Sequence, residues 1–235
     1  MAESKKGISA NQIKRTLGVS SKTAWYLCHR IRAAMEQHGP ALSGTVEVDE
    51  TYVGGKRPRY LPNNKTTVLG AVQRGGSVKM RASTARMPST YVLHEFVRET
   101  VADDATAIYT DAHPGYRGIG DADTVHETVN HSAEEWVRGD VHANTVESVW
   151  SLLDRAIIGS CHKLSVKHLP AYLDERAFIF NNRREPLPLS ETQRNGCSRR
   201  ATSRTPSSRI RLRHPLDDFR KHVEPVFDSV TQRKQ

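Results

Sequence analysis

The sequence predicts an α/β protein, because short β-patterned runs are enclosed between two helical zones. Residues 8–37 and 143–184 show no strand alternation, whereas residues 44–131 carry five β-patterned runs and one helical stretch. The runs read TVEVDETYV, TTVLGAVQ, VKMRAST, ATAIYTD and TVHETVNH, and the helical stretch reads STYVLHEFVRET. The period of the apolar residues is the main signal that separates the two kinds of element.

The chain of 235 residues is basic, with 35 Lys and Arg against 26 Asp and Glu and a net charge of +9. An excess of this size favours an acidic partner such as nucleic acid. The longest apolar runs are only a few residues, so we expect no membrane span, and the polar start MAESKKGISA does not read as a signal peptide. The three cysteines form no C-x-x-C pair, which argues against a zinc ribbon and fits a reducing cytoplasm.

The pattern of residues 8–35 predicts a helix-turn-helix. Ser9 suits an N-cap, Gly18 suits the turn, and a second helix is expected from Ser21. Its buried face would consist of Ala24, Leu27, Cys28, Ile31 and Met35. Its other face would expose Lys22, Thr23, Tyr26, His29, Arg30 and Arg32. Polar and basic side chains near a helix N-terminus suit a DNA major groove and its phosphates, so Lys22, Thr23, Tyr26 and Arg30 are candidate DNA contacts. The alternative is a helical hairpin that only packs on the rest of the chain.

Acidic residues interrupt two of the predicted strands. In the run 45–53, alternation places Glu47 and Asp49 on one face and Glu50 on the other. Asp49 lies near the middle of the strand, where a charge is hardest to solvate, so it is the strongest functional candidate. Asp111 ends the run ATAIYTD just before a proline and a glycine, at the carboxyl end of a strand, where active sites of α/β folds gather.

A third acidic position lies in the predicted helix HANTVESVWSLLDR, where Asn144 and Glu147 stand one turn apart on one face. Two strand acids and one helix acid are the layout of a two-metal site for phosphodiester chemistry. Mg²⁺ prefers oxygen ligands, and two such ions about 3.5–4 Å apart can activate an attacking oxygen and stabilise a leaving one. Each acid alone also has a structural explanation, such as capping a turn or lining a solvated face.

Several motifs in order, VEVDETYVGGK, YTDAHPGY, HANTVESVWSLLDR and YLDERAFIFNNR, resemble bacterial insertion-sequence transposases of the DDE superfamily. The similar group carries the D-E-[ST]-Y-V-G-G-K signature and an ISXO2-like transposase domain. The resemblance covers about residues 5–186 and implies an α/β fold with an RNase H-like mixed sheet flanked by helices, preceded by a small helix-turn-helix segment. It implies Asp49 and Asp111 as the first two metal ligands. Related transposases take the third from the glutamate of N-x-x-E-x-x-W, here Glu147, whereas some members are assigned an asparagine, here Asn144. We expect Glu147, because an anion binds Mg²⁺ better than a neutral amide, with Asn144 lining the same site.

The resemblance also implies an organisation and a set of partners. We expect a DNA-binding segment over residues 1–40, a catalytic domain over 41–186 and a basic, disordered tail over 187–235. The implied protein is a transposase that binds element ends and performs Mg²⁺-dependent cleavage and strand transfer, with two ions that Mn²⁺ can replace. It would act as a homo-oligomer on double-stranded DNA, both transposon ends and target, in the cytoplasm and associated with the nucleoid. Apart from the resemblance, the turn expected at Gly54 and Gly55 brings Lys56 and Arg57 close to Asp49, where they would hold DNA phosphates near the metals. A solvated loop is the alternative.

Three departures from the family pattern support an alternative. The given residues begin within the helical region that follows a zinc ribbon in many family members, Asp154 stands where the family usually has a lysine, and the tail does not continue the family pattern. The alternative is a catalytically inactive, truncated transposase remnant that acts only as a DNA-binding protein. A nuclease of the same fold that acts on branched DNA is a third interpretation.

Overall fold

The computed structural model describes residues 7–54, 65–83, 85, 87–120, 124–129, 141–161 and 164–183. The candidate phosphate contacts Lys56 and Arg57 lie outside these residues, and so does the predicted tail 187–235. None of the described helices is long and apolar enough to cross a membrane.

The elements follow the zones that the sequence predicts. The helices are Ala10–Leu17 (α1), Ser21–Ala33 (α2), Thr90–Thr100 (α3), Asn144–Ala156 (α4) and Leu169–Asn181 (α5). The strands are Thr45–Val53 (β1), Thr66–Gln73 (β2), Val78–Ala82 (β3), Ala107–Asp111 (β4) and Val125–Val129 (β5). A short 3₁₀ helix, Pro114–Tyr116, follows β4, and a π-helical turn, Ile157–Cys161, follows α4. Each β-patterned run and the helical stretch between them are thereby confirmed.

The five strands form one mixed sheet in the order β3-β2-β1-β4-β5. The pairs β1–β2 and β2–β3 are antiparallel, whereas β4 runs parallel to β1 and β5 parallel to β4. This confirms the predicted α/β class with an RNase H-like mixed sheet flanked by helices. In the parallel pair β1–β4, Glu47 lies opposite Tyr109, so Asp49 and Asp111 follow two residues later on neighbouring strands. The sheet register itself therefore brings the two predicted strand acids side by side.

Helices cover both faces of the sheet. On one face α3 packs through Leu93, Phe96 and Val97 against alternate residues of β1 and β2. On the other face α4 and α5 pack against the intervening residues of β2, which include Val68 and Val72. Because β1 and β2 are covered on both sides, their apolar residues do not alternate with solvated ones. An acid on β1 therefore needs a specific partner or a functional reason.

The N-terminal helices form as predicted. The Ser9 side chain caps α1 by accepting a hydrogen bond from the Gln12 N–H at 3.2 Å, and Gly18 ends that helix with a left-handed φ of 63°. Helix α2 begins at Ser21 and ends at Ala33, shortly before the last predicted core residue. All the predicted core side chains are buried, namely Ala24, Leu27, Cys28, Ile31 and Met35.

Arg32 corrects the predicted exposed face of α2. Its side chain is only 4% exposed, and its Nε donates to Oε2 of Glu175, itself 2% exposed, at 2.8 Å. Its guanidinium also lies 3.9 Å from the ring centre of Tyr172. The prediction was wrong because α5, which is distant in sequence, packs on α2 at this position and supplies the partner charge. Buried charges are tolerated when they are paired in this way.

We predict that Arg32→Ala lowers the free energy of unfolding by about 3 kcal/mol, because removing one member of a buried ion pair leaves the other charge poorly compensated. Glu175 would keep one contact, from Nη2 of Arg176 to its Oε1 at 3.0 Å. Urea unfolding followed by circular dichroism measures the loss. Arg30→Ala removes the same charge from the exposed side of α2 and should change stability by less than about 0.5 kcal/mol. Equal effects of the two substitutions would contradict the structural role of the pair.

Candidate active site

Three carboxylates meet where β1 and β4 lie side by side. One oxygen each from Asp49, Glu50 and Asp111 lies within 4.8 Å of the other two. Across the described ranges, this is the single set of three or more His, Cys, Asp or Glu side chains with such spacing. All three residues are half-buried. The convergence follows from the parallel β1–β4 register for the two aspartates.

Glu50 joins this group although strand alternation predicts it on the opposite face. Strand β4 ends at Asp111, so no β4 residue beyond Asp111 lies beside Glu50. The 3₁₀ helix after β4 then supplies a partner, because the Tyr116 hydroxyl donates to Oε2 of Glu50 at 2.7 Å. The backbone N–H of His113 donates to Oδ1 of Asp111 at 3.0 Å. The alternation of residues within β1 does not predict that Glu50 approaches Asp111, because this approach depends on where the neighbouring strand β4 ends.

Trp150 supplies the donor for the remaining carboxylate. Its indole Nε1 donates to Oδ2 of Asp49 at 2.8 Å. Burial nevertheless raises the pKa of Asp49 to about 7, and the nearby charge of Glu50 adds to that rise. Burial and then the charge of Asp111 also raise the pKa of Glu50 above its usual range. Crowded, partly desolvated carboxylates of this kind are stabilised when a cation lies between them.

Tyr116 remains a donor under these conditions. Burial, reinforced by the negative charge of Glu50, raises the pKa of its phenol far above the usual range. The hydroxyl therefore keeps its proton at neutral pH and can hold the glutamate oxygen. The 3₁₀ helix thus fixes one edge of the acidic group without adding a positive charge.

Both candidates on α4 lie at the beginning of that helix. Asn144 begins the helix and Glu147 lies in its first turn, and both side chains are exposed. Among the described residues, the Glu147 carboxylate is not part of the set within 4.8 Å. Trp150, about one turn after Glu147, contacts Asp49, so the surface of α4 that carries Glu147 borders the acidic group.

Glu47 has a structural environment of its own. Its carboxylate is fully buried and accepts bonds from Nε of Arg74 at 2.7 Å and from the Thr145 hydroxyl at 2.8 Å. It also accepts the backbone N–H groups of Thr145 at 2.8 Å and Val146 at 3.0 Å. A carboxylate at a helix N-terminus satisfies donors that have no partner within the helix and interacts favourably with the helix dipole. Glu47 therefore fastens the beginning of α4 to β1.

The candidate DNA contacts of α2 share one exposed surface. They are Lys22, Thr23, Tyr26 and Arg30. The Ser20 hydroxyl caps the helix through the Thr23 N–H at 3.1 Å, and the two hydroxyls lie 2.8 Å apart. Nη1 of Arg30 lies 3.4 Å from the hydroxyl of Tyr26. This surface is opposite the face that carries the core residues, so packing on the rest of the chain leaves it open.

The chain is similar to the family described as the ISXO2-like transposase domain over residues 41–181. It is 31% identical over 196 residues to an uncharacterized protein in transposable element ISH50 of Halobacterium salinarum, a match covering 72% of this chain. The matched part is 63% of the length of that relative.

Two solved structures share a more distant likeness. One is the HTLV-2 integrase catalytic core domain in complex with magnesium, with 14% identity, a TM-score of 0.35 and coverage of 58% of this chain and 86% of that one. The other is the simian T-cell lymphotropic virus intasome in complex with the PP2A regulatory subunit B56 gamma, with 13% identity, a TM-score of 0.38 and coverage of 83% and 71%. The strand order and pairing, rather than these likenesses, establish the fold described above.

We predict that Glu47→Gln lowers the free energy of unfolding by about 3 kcal/mol, because the partly buried Arg74 and several charge-assisted hydrogen bonds lose a fully buried anion. Chemical denaturation of the full chain measures this effect. Glu147→Gln is a matched control, since it makes the same change on an exposed position of α4. A destabilisation by Glu147→Gln as large as that by Glu47→Gln would show that the loss comes from the helix and not from the buried contact.

Proposed function

Because the chain belongs to the ISXO2-like transposase domain family, we propose that it is a DNA transposase that cuts DNA at insertion-sequence ends and joins them to a target. The observation that carries the proposal is the convergence of Asp49 and Asp111, together with Glu50, where β1 and β4 lie side by side. Family membership supplies the reaction class, and the acidic group supplies a place for the metal ions that this reaction uses.

The chemistry of the donor set fits Mg²⁺. All donors of the group are carboxylate oxygens, which hard divalent cations prefer, and Mn²⁺ accepts the same ligands. The raised pKa of Asp49 and Glu50 reflects crowding and burial that a cation would relieve. Two bound ions would activate the attacking oxygen of water or of a DNA 3′-hydroxyl and stabilise the leaving oxygen.

The residues have distinct roles in this proposal. Asp49 and Asp111 are metal ligands, and Glu147 on α4 is the third, with Asn144 lining the same site. The contact of Trp150 with Asp49 supports the involvement of α4, because it keeps that helix beside the acidic group. Glu50 is the rival for the third position, since its carboxylate already lies within 4.8 Å of both aspartates.

Double-stranded DNA is the proposed partner. The exposed basic surface of α2 would recognise element ends, and Lys56 and Arg57 would hold phosphates near the metals. Two element ends have to be brought together before joining, so we propose that several copies of the chain assemble on DNA. Such an assembly would work in the cytoplasm at the nucleoid.

We predict that Asp49→Asn abolishes cleavage of element-end DNA with either Mg²⁺ or Mn²⁺, while end binding changes by less than about threefold. The reason is that the change removes an anionic ligand but leaves the α2 surface intact. Gel-based cleavage and binding assays on the same DNA measure both quantities. Glu147→Gln and Glu50→Gln, tested side by side, identify the third ligand as the position whose loss lowers cleavage by at least about a hundredfold.

The wild-type products separate the alternatives. Joined products support a transposase, whereas cleavage of branched DNA without joining supports a nuclease of the same fold. End binding without cleavage in either metal supports the DNA-binding remnant. Equal losses of binding and cleavage in Asp49→Asn would contradict its assignment as a ligand.

We predict that Lys22→Ala and Arg30→Ala each weaken DNA binding and reduce the slope of log affinity against log salt by about 1, as expected for one lost phosphate contact. Fluorescence anisotropy over a range of salt concentrations measures the slope. Arg98→Ala is the control, because it removes the same charge from an exposed position on α3. An equal slope change in Arg98→Ala would mean that net charge, and not the α2 surface, determines binding.

A further inference from the structure

Trp150 joins α4 to two strands at once. Its indole N–H reaches Oδ2 of Asp49 on β1 at 2.8 Å, and its ring covers Gly70 on β2. The ring is 8% exposed and packs with Val68 and Val72 of β2, so its position is restricted on several sides. Asp49 and Gly70 are direct partners in the β1–β2 ladder. One aromatic side chain therefore spans a carboxylate and the glycine beside it.

We propose that Trp150 is a positioning residue that orients the Asp49 carboxylate for metal binding, and that Gly70 provides the space that allows this contact. The inference rests on the proposed function, because it assigns a role toward the metal ions of the same site. Trp150 would act through Asp49 and would not itself contact DNA or metal.

The chemistry of the indole suits this role. Its N–H donates and cannot accept, so the hydrogen bond has only one possible direction and fixes which carboxylate oxygen faces the helix. The indole also carries no charge, so it does not replace the cation that the acidic group requires, as a lysine or an arginine would. The indole N–H takes one lone pair of Oδ2, so this hydrogen bond by itself does not prevent the carboxylate from binding an ion. Partners of this kind, which hold a ligand without touching the metal, generally tune metal affinity.

Gly70 has a steric reason to be glycine. A Cβ at this position would lie 2.3 Å from Cη2 and 2.7 Å from Cζ2 of the Trp150 ring. Gly70 lies within the regular β1–β2 and β2–β3 ladders and is not among the glycines with positive φ, so its backbone does not demand glycine. The ring occupies the space that a side chain would need. Any larger residue would push the indole away and move its N–H from Asp49.

The first experiment removes the donor in two ways, one of which, the benzothienyl side chain, keeps the shape of the ring. Mn²⁺ is titrated into three full-length proteins: the wild type, Trp150→Phe, and a chain with 3-benzothienylalanine at position 150. In 3-benzothienylalanine a sulfur atom replaces the indole N–H. The loss of the free-Mn²⁺ signal in electron paramagnetic resonance measures affinity. We expect both changes to weaken Mn²⁺ binding by about 10- to 100-fold. Trp25→Phe removes an exposed indole from α2 and should leave Mn²⁺ affinity unchanged.

The second experiment separates positioning from packing. Gly70→Ala should weaken both Mn²⁺ binding and resistance to urea, because the new methyl displaces the ring. In the double variant Gly70→Ala/Trp150→Phe the clashing ring atoms are absent, so urea resistance should recover relative to Gly70→Ala. Mn²⁺ affinity should stay about 10- to 100-fold below wild type, because no N–H returns to Asp49.

The outcomes distinguish failure of the metal site from failure of the role of Trp150. Wild-type Mn²⁺ binding that Asp49→Asn does not reduce would overturn the metal site itself, and with it the proposed function. Wild-type binding that depends on Asp49 but is unaffected by the benzothienyl replacement would overturn the role of Trp150 alone. Recovery of Mn²⁺ affinity together with urea resistance in the double variant would also overturn it, since packing would then explain the effect.

Discussion

The buried carboxylate of Glu47 is the contact on which the geometry of the site depends. It joins the middle of the sheet to the beginning of α4 through Arg74 and the backbone of Thr145 and Val146. A helix fastened at its first turn has little freedom to slide or rotate, because its apolar face must also meet the sheet. The same orientation carries Trp150 over β2, with its indole N–H directed at Asp49. The strand thus determines where the helix lies, and the helix in turn holds an acid of that strand.

Two acids on one face of β1 are accommodated in opposite ways. Glu47 has a permanent cation, Arg74, and the N-terminus of a helix, so its negative charge is compensated inside the protein. Asp49 accepts hydrogen bonds only from neutral groups among its named partners, the indole of Trp150 and the backbone N–H of Glu50, and it has two acidic neighbours. Burial raises its pKa to about 7. The first arrangement stabilises the fold and needs nothing further. The second leaves a deficit of positive charge, which is what a site for exchangeable divalent ions requires.

Periodicity predicted most of the fold and the two aspartates, because both depend on local pattern and on where a strand ends. Three features depend on contacts between distant segments, and no local pattern contains them. Arg32 reads as a solvated residue until Glu175 is brought against it from a position 143 residues later. Glu50 faces away from Asp49 by alternation, yet its carboxylate approaches Asp111 because β4 ends there. The role of Glu47 depends on its contact with the first turn of α4, which lies about 100 residues later in the sequence.

Helix α2 packs on the rest of the chain through one face, and this packing leaves the face proposed to recognise DNA exposed. One side is fastened to α5 by the buried pair of Arg32 and Glu175, while Lys22 and Arg30 remain exposed on the other. Helix α5 shares one apolar core with α4 and β2. A continuous series of packed side chains therefore runs from the basic surface to the helix that carries Glu147. Because buried contacts of this kind hold elements at fixed distances, DNA held on α2 would lie at a defined position relative to the acidic group.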